Sequence, residues 1–206
     1  MIFQLPGLVI NVRKPELDDL DCLTRWVSTE SYLNNIGGAA AREAGQARRL
    51  AEQMLQDNAD DYSPNRYFLA EDRFTREPVG LAMLCKIDWR HRHAEYTCLV
   101  GDDANRSKLA AGDMNMVMYN YCFHHLNLRK VYGYIYDTNA ASLRMTSYGG
   151  RRDGTLRRHR VLAGVASDVH VFSILDREFS AFVNQHAATL LKKHVERGLI
   201  NWQPGQ

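Results

Sequence analysis

Two hydrophobic periods alternate along this chain. Residues 8–15 (LVINVRKP) set apolar side chains at alternate positions, the pattern of a half-buried strand. From Pro15 the period lengthens. Leu17, Leu20, Leu23 and Val27 share one helical face, and acidic residues follow the proline as at a helix start. The stretch NNIGG at 34–38 breaks the chain. Ala44, Ala47, Leu50, Ala51 and Met54 share a second apolar face, which predicts a helix over 40–56. Strand patterns follow at 66–72, 78–88 and 93–101, with links short enough for antiparallel hairpins. Met114, Val117 and Tyr121 then mark one stripe of a helix over 113–126. Residues 130–137 alternate as a strand, and 139–150 read as a short helix stopped by two glycines. The segments 154–164 and 168–175 make a final hairpin, and 176–198 a C-terminal helix. The order β α α β β β α β α β β α implies one α/β domain on a mixed sheet.

Composition narrows the partners. A chain of 206 residues suits one domain that buries its core without disulfides. We assign residues 1–180 to that domain and 181–206 to a helical extension packed on it or on a partner subunit, in a monomer or a homodimer. The net charge of +2 is far below the basic excess of a nucleic-acid binder. No apolar run approaches the ~20 residues that cross a bilayer. Nucleic acid and membrane are therefore not expected as partners. The N-terminus has no basic start leading into a long apolar stretch, so a cytoplasmic protein is expected. Cys22, Cys85, Cys98 and Cys122 are scattered without a C-x-x-C, as free thiols in a reducing compartment would be. No H-E-x-x-H or Cys/His cluster is present, so no metal is expected.

Candidate chemistry concentrates at the strand-to-helix joint NRSKLAAGDM, residues 105–114. Unpaired backbone amides and the helix dipole favour an anion at such a joint. Arg106 and Lys108 add positive charge, and Ser107, Ala110 and Ala111 are small enough for close approach. Leu109 departs from that composition. With negative φ its amide can still donate; a positive φ would be costly for leucine. A phosphate-binding turn and an ordinary helix start both fit the residues.

The joint, together with two further segments, resembles the GNAT superfamily of acetyl-CoA-dependent N-acyltransferases over about residues 8–180. Arg106 to Ala111 resemble that family's Q/R-x-x-G-x-G/A. NYCFHHLNLRKVYGYIYDTNAASLRM (120–145) carries its N-x-x-S at Asn139 and Ser142. Residues 149–179 resemble its final hairpin as found in the ribosomal-protein alanine acetyltransferase-like and nucleotide-aminosugar acetyltransferase branch. The resemblance implies a mostly antiparallel sheet flanked by helices. It also implies an N-acetyltransferase in which a primary amine attacks the acetyl-CoA thioester directly, with no covalent enzyme intermediate. The acceptor would be a small molecule or a peptide amine.

The resemblance further assigns the residues. The pyrophosphate of acetyl-CoA, the co-substrate, falls to Arg106, Ser107, Lys108, Leu109, Ala110 and Ala111. The pantetheine arm falls to the backbone of Cys98, Leu99 and Val100 and to Asn139 with Ser142. An outer phosphate falls to Arg144. Glu95 is the leading base, because a partly buried glutamate is suited to proton abstraction near neutrality. His93 lies on the same strand face as an alternative. Tyr148 is the candidate acid, since Thr146 stands where the family usually has tyrosine. Two departures are visible. Arg151 replaces an aromatic, and Asp153-Gly154 places the acid–glycine pair one residue early. The arginine-dense 151–160 suits either an anionic acceptor or simply a charged hairpin. A catalytically degraded acyl-CoA-binding or regulatory protein, and an acyltransferase with a longer donor, stand as the alternatives.

Overall fold

In the computed structural model, which describes residues 4–36, 45–101, 108–145, 150–162 and 164–185, the first expected strand is divided. β1 (Gln4–Pro6) turns at Gly7 and returns as β2 (Ile10–Arg13). A carboxylate from a distant helix fixes this turn. Asp113 Oδ2 accepts from the N–H of Val9 at 2.8 Å and of Ile10 at 3.1 Å. A Cβ on Gly7 would stand 2.5 Å from the same oxygen, so the close approach requires glycine.

The helix expected from Pro15 opens as a 3-10 turn over Leu17–Asp19 and continues as α1 (Leu20–Val27). Asp19 ties the start down: Oδ2 accepts from the Glu16 N–H, and the carboxylate pairs with both terminal nitrogens of Arg13. Arg13 also reaches the buried Glu71, which binds Arg76 as well. A short helix not anticipated from periodicity follows, α2 (Glu30–Asn35), whose N-cap Thr29 Oγ1 accepts from the Tyr32 N–H. Six residues are too few to show a 3.6-residue repeat. α3 (Gln46–Ala59) follows Gly45 at φ 85°, and positions 40–44 of the helix expected over 40–56 lie outside the described residues.

β3 (Arg66–Asp72), β4 (Pro78–Asp88) and β5 (His93–Val100) lie where strands are expected, to within a residue. α4 (Lys108–Asn120) starts earlier than position 113 and ends in a π-turn over Tyr121–His125. The good helix formers Leu109, Ala110 and Ala111 extend it at that end. β6 (Lys130–Tyr136), α5 (Ala140–Met145), β7 (Arg151–Leu162), β8 (Val165–Leu175) and α6 (176–185) complete the described chain.

The eight strands form one sheet in the order β1-β2-β3-β4-β5-β6-β8-β7. All recorded neighbours are antiparallel except β5 and β6, and α4 makes the crossover that a parallel pair needs. On one face, Met114, Met118 and Cys122 of the α4 segment and Phe179 of α6 pack on Val12, Phe68, Ala82, Leu84 and Ala94. On the other, Leu23, Trp26 and Val27 of α1 and Ala51 and Met54 of α3 pack on Leu69, Leu81, Met83 and Leu99. Val183, in the expected C-terminal extension, lies against the α4-side core; residues 186–206 are outside the described set.

Asp113→Ala leaves the Val9 and Ile10 amides without their acceptor and should cost about 1–3 kcal/mol, read as a lower urea midpoint. Asp113→Asn retains an acceptor oxygen and should cost less.

Candidate active site

β5 and β6 pair at three positions, His93↔Lys130, Ala94↔Val131 and Glu95↔Tyr132. Beyond Glu95 no further pairing between them is recorded among the described residues. β5 stays with β4 through Val100, and β6 stays with β8 through Tyr136. A gap therefore opens between them. The Gly101 N–H donates to Val79 O at 2.8 Å, which fixes the phase of the β4–β5 ladder. By the alternation of an antiparallel pair, Leu99 then turns its N–H and C=O toward β4. Tyr96, Cys98 and Val100 turn theirs toward the gap. At its head, a Cβ on Gly133 would stand 2.8 Å from the Tyr96 carbonyl oxygen. The gap thus offers peptide groups at two-residue spacing, which suits an extended ligand carrying amides.

Glu95 is the last residue of β5 paired with β6, so it stands at the head of this gap. Its side chain is 18% exposed and accepts from Lys86 Nζ at 2.7 Å. That hydrogen bond raises the lysine pKa. Tyr132 lies beside Glu95 on β6, and its hydroxyl is pushed up by burial and then by the Glu95 charge. Tyr132 and Tyr134 meet edge to face at 6.0 Å, and Lys86 Nζ lies 5.8 Å from the Tyr134 ring centre. The His93 ring meets Tyr132 edge to face at 5.7 Å, and its buried Nδ1 has no hydrogen-bond partner among the described residues.

The other predicted residues separate. Cys98 and Val100 direct their side chains toward α4, and the Cys98 thiol lies 3.4 Å from Asn115 Oδ1. Leu99 is buried against α1 and α3 and faces the gap with neither its backbone groups nor its side chain. Ala110 packs into the core beneath α4. Lys108, Leu109, Ala110 and Ala111 form the first turn of that helix, and Leu109 is not among the residues of positive φ. No glycine is required there. Asn139 caps α5, its Oδ1 accepting from the Ser142 N–H at 3.1 Å. Arg106, Ser107, Thr146 and Tyr148, and the side chains of Lys108, Leu109 and Arg144, lie outside the described residues.

Three arginines of the final hairpin are engaged within the fold. Arg151 pairs with Glu178 and Arg152 lies over Phe172. Arg160 stacks 4.1 Å from the Tyr136 ring centre and donates to Leu33 O. The early acid–glycine pair is absorbed by a bulge at Asp153, whose carboxylate is held by Lys130 and Ser173.

Sequence reasoning missed Lys86 and Gly133. The signal for Lys86 was a lone charged residue inside the apolar run 79–87. For Gly133 it was its place inside the period-two run Tyr132, Tyr134, Tyr136.

Comparison with known proteins adds the family. The acetyltransferase (GNAT) domain family matches residues 10–150. An uncharacterized N-acetyltransferase p20 of Bacillus licheniformis is 27% identical over 175 residues, which cover 83% of this chain and 95% of that one. The Vibrio cholerae spermidine N-acetyltransferase in complex with CoA and spermine superposes with a TM-score of 0.74. It is 22% identical, over 82% of this chain and 97% of that one. A second structure of the Vibrio cholerae spermidine/spermine enzyme, with manganese ions, gives 0.68 at 22% identity, over 84% and 96%. At these identities the two structures share the fold. No described helix is long and apolar enough to cross a membrane.

Cys85 shares the Glu95 side of the sheet, and its thiol is pushed up to about 11 by burial and then by the Glu95 charge. The thiolate is the reactive form, so Cys85 should react with iodoacetamide at pH 8 at least about tenfold more slowly than in the unfolded chain. Mass spectrometry of the Cys85 peptide over time checks this.

Proposed function

The chain belongs to the GNAT acetyltransferase family, whose members are acyltransferases using acetyl-CoA, and on that premise we propose that it acetylates a primary amine held against Glu95. The observation that carries this reading is the placing of Glu95 at the head of a gap lined by backbone groups of Cys98 and Val100. Those groups would hold the amide-bearing arm of the donor. The N-terminal turn of α4, with Arg106 and Lys108, would hold its pyrophosphate, since that end of the helix favours an anion. Helical backbone at Leu109 is compatible with that role. Bound acetyl-CoA supplies an acetyl group activated as a thioester, which the free amine attacks directly.

An amine arrives at neutral pH as an ammonium ion and cannot attack until it loses a proton. Glu95 would take that proton through the same oxygen contact it makes with Lys86. Asn139 would contribute its amide nitrogen, because its oxygen is committed to capping α5. We assign protonation of the leaving thiolate to Tyr148. The cytoplasm, which keeps thiols reduced, suits four free cysteines.

Two measurements test the reading. Acetyl-CoA should raise the melting temperature, and thiol should be released when an amine is added. No shift at millimolar acetyl-CoA would sink the proposal. Glu95→Gln should lower kcat/KM at pH 7 by about 10²-fold or more, and the deficit should shrink as pH rises. The sign follows from the substrate, since above neutral pH a growing fraction of the amine is already deprotonated. A pH–rate profile unaltered by the substitution would remove Glu95 as the base.

A further inference from the structure

Regular alternation would send the Lys86 side chain to the α4 face of the sheet. Leu84 packs on that face, and so does Ile87, while Cys85 packs on the other. An extra residue therefore stands between Leu84 and Ile87. The β4–β5 register shifts between Cys85 and Asp88, and Lys86 takes φ 52° within this bulge. Left-handed backbone costs a non-glycine residue about 1–2 kcal/mol. The loop beneath holds it there: Asn65 Oδ1 accepts from the Lys86 N–H at 3.3 Å, and Pro64 O from the Ile87 N–H at 2.9 Å. The bulge turns an ammonium group onto Glu95, a re-aiming that bulges perform beside functional sites.

We propose that Glu95, Tyr132 and Tyr134 form a site for the terminal ammonium of an unbranched alkylamine, and that the Lys86 side chain is its resident occupant, displaced by the acceptor. This rests on the acetyltransferase reading above and deepens it by naming the acceptor class. The groups around Lys86 Nζ are those that recognise an ammonium: a carboxylate oxygen at 2.7 Å and an aromatic face 5.8 Å away. A lysine side chain is chemically n-butylammonium, so the chain itself shows what the site takes. Displacement is inexpensive. The Lys86 side chain is 67% exposed, and a pair with one partner in solvent is worth little. Tyr134, 37% exposed, keeps its ring open to the incoming chain. An amine on a branched carbon, such as an α-amino group or an aminosugar, does not match this occupant.

The test is an equilibrium titration with n-butylammonium in the absence of acetyl-CoA, so its failure is separate from any failure of catalysis. Lys86→Gly removes the occupant and suits φ 52°, so the variant should fold at least as well as the parent. The expected result is a Kd about two- to fivefold lower for Lys86→Gly than for the parent, the span of an exposed ion pair. Adding Glu95→Gln to Lys86→Gly should abolish that gain, and sec-butylammonium should bind more weakly than the unbranched isomer. Equal affinity in the parent and Lys86→Gly, or binding indifferent to Glu95→Gln, would overturn the proposal. Lys86→Met, with a side chain of similar length and no charge, removes the ammonium from the site and supplies the comparison if the glycine variant does not fold. Titrations with Nα-acetyl-lysinamide and with 1,4-diaminobutane separate a lysyl side chain from a free diamine as the source of the ammonium.

Discussion

β5 is bound to β4 as far as Val100, and β6 is bound to β8 as far as Tyr136, so each strand is committed on its outer edge. Between them the ladder holds for three positions and then stops. A backbone N–H or C=O away from water needs a partner, so an opened ladder in mid-sheet is expensive unless something fills it. That constraint organises the site. The gap leaves the peptide groups of Cys98 and Val100 open to a partner, and Glu95 stands at its head. Gly133 permits the close contact with the Tyr96 carbonyl where the strands part.

The helices hold this arrangement from both sides. α4 follows β5, and its buried face, from Ala110 through Met118, packs on the strands it crosses. Asp113 extends its hold to the β1–β2 turn, far away in sequence. On the opposite face α1 and α3 cover β3, β4 and the far end of β5, while the part of β5 and β6 carrying Glu95, Tyr132 and Tyr134 is less deeply covered. The Arg160 contact with Tyr136 and Leu33 joins the final hairpin to α2 beside that area. Packed layers on both faces thus frame a short polar region around Glu95, Tyr132 and Tyr134.

Lys86 gives the clearest local conflict between propensity and tertiary structure. A lysine in left-handed backbone is unfavourable, and its side-chain ion pair is too exposed to repay that cost by itself. The bulge is held instead by the loop at Pro64 and Asn65, so the strain is carried by backbone contacts. Strain held in this way beside a candidate base is consistent with use by the site.

The bounds expected for β3, β4, β5 and β6 hold to within a residue: β6 keeps a period of two, while β3 and β4 are short apolar runs bounded by turn residues and buried on both faces. The N-x-x-S at Asn139 and Ser142 and the choice of Glu95 came from the resemblance to the GNAT family. Short elements and re-aimed side chains were not legible. α2 and β1 are too brief to repeat a pattern, and the turn at Gly7 depends on a carboxylate at position 113. Likewise Leu99, beside Cys98 and Val100 in the chain, is turned from the gap by a ladder phase that only the pairing with β4 sets. The sequence by itself determined the longer elements and their order, since these follow from local period, and its resemblance to the GNAT family pointed to the residues for acyl transfer. Tertiary structure alone decided where β5 and β6 part and which peptide groups face the gap. It also decided that a lysine meets Glu95, because each of these depends on partners distant in the chain.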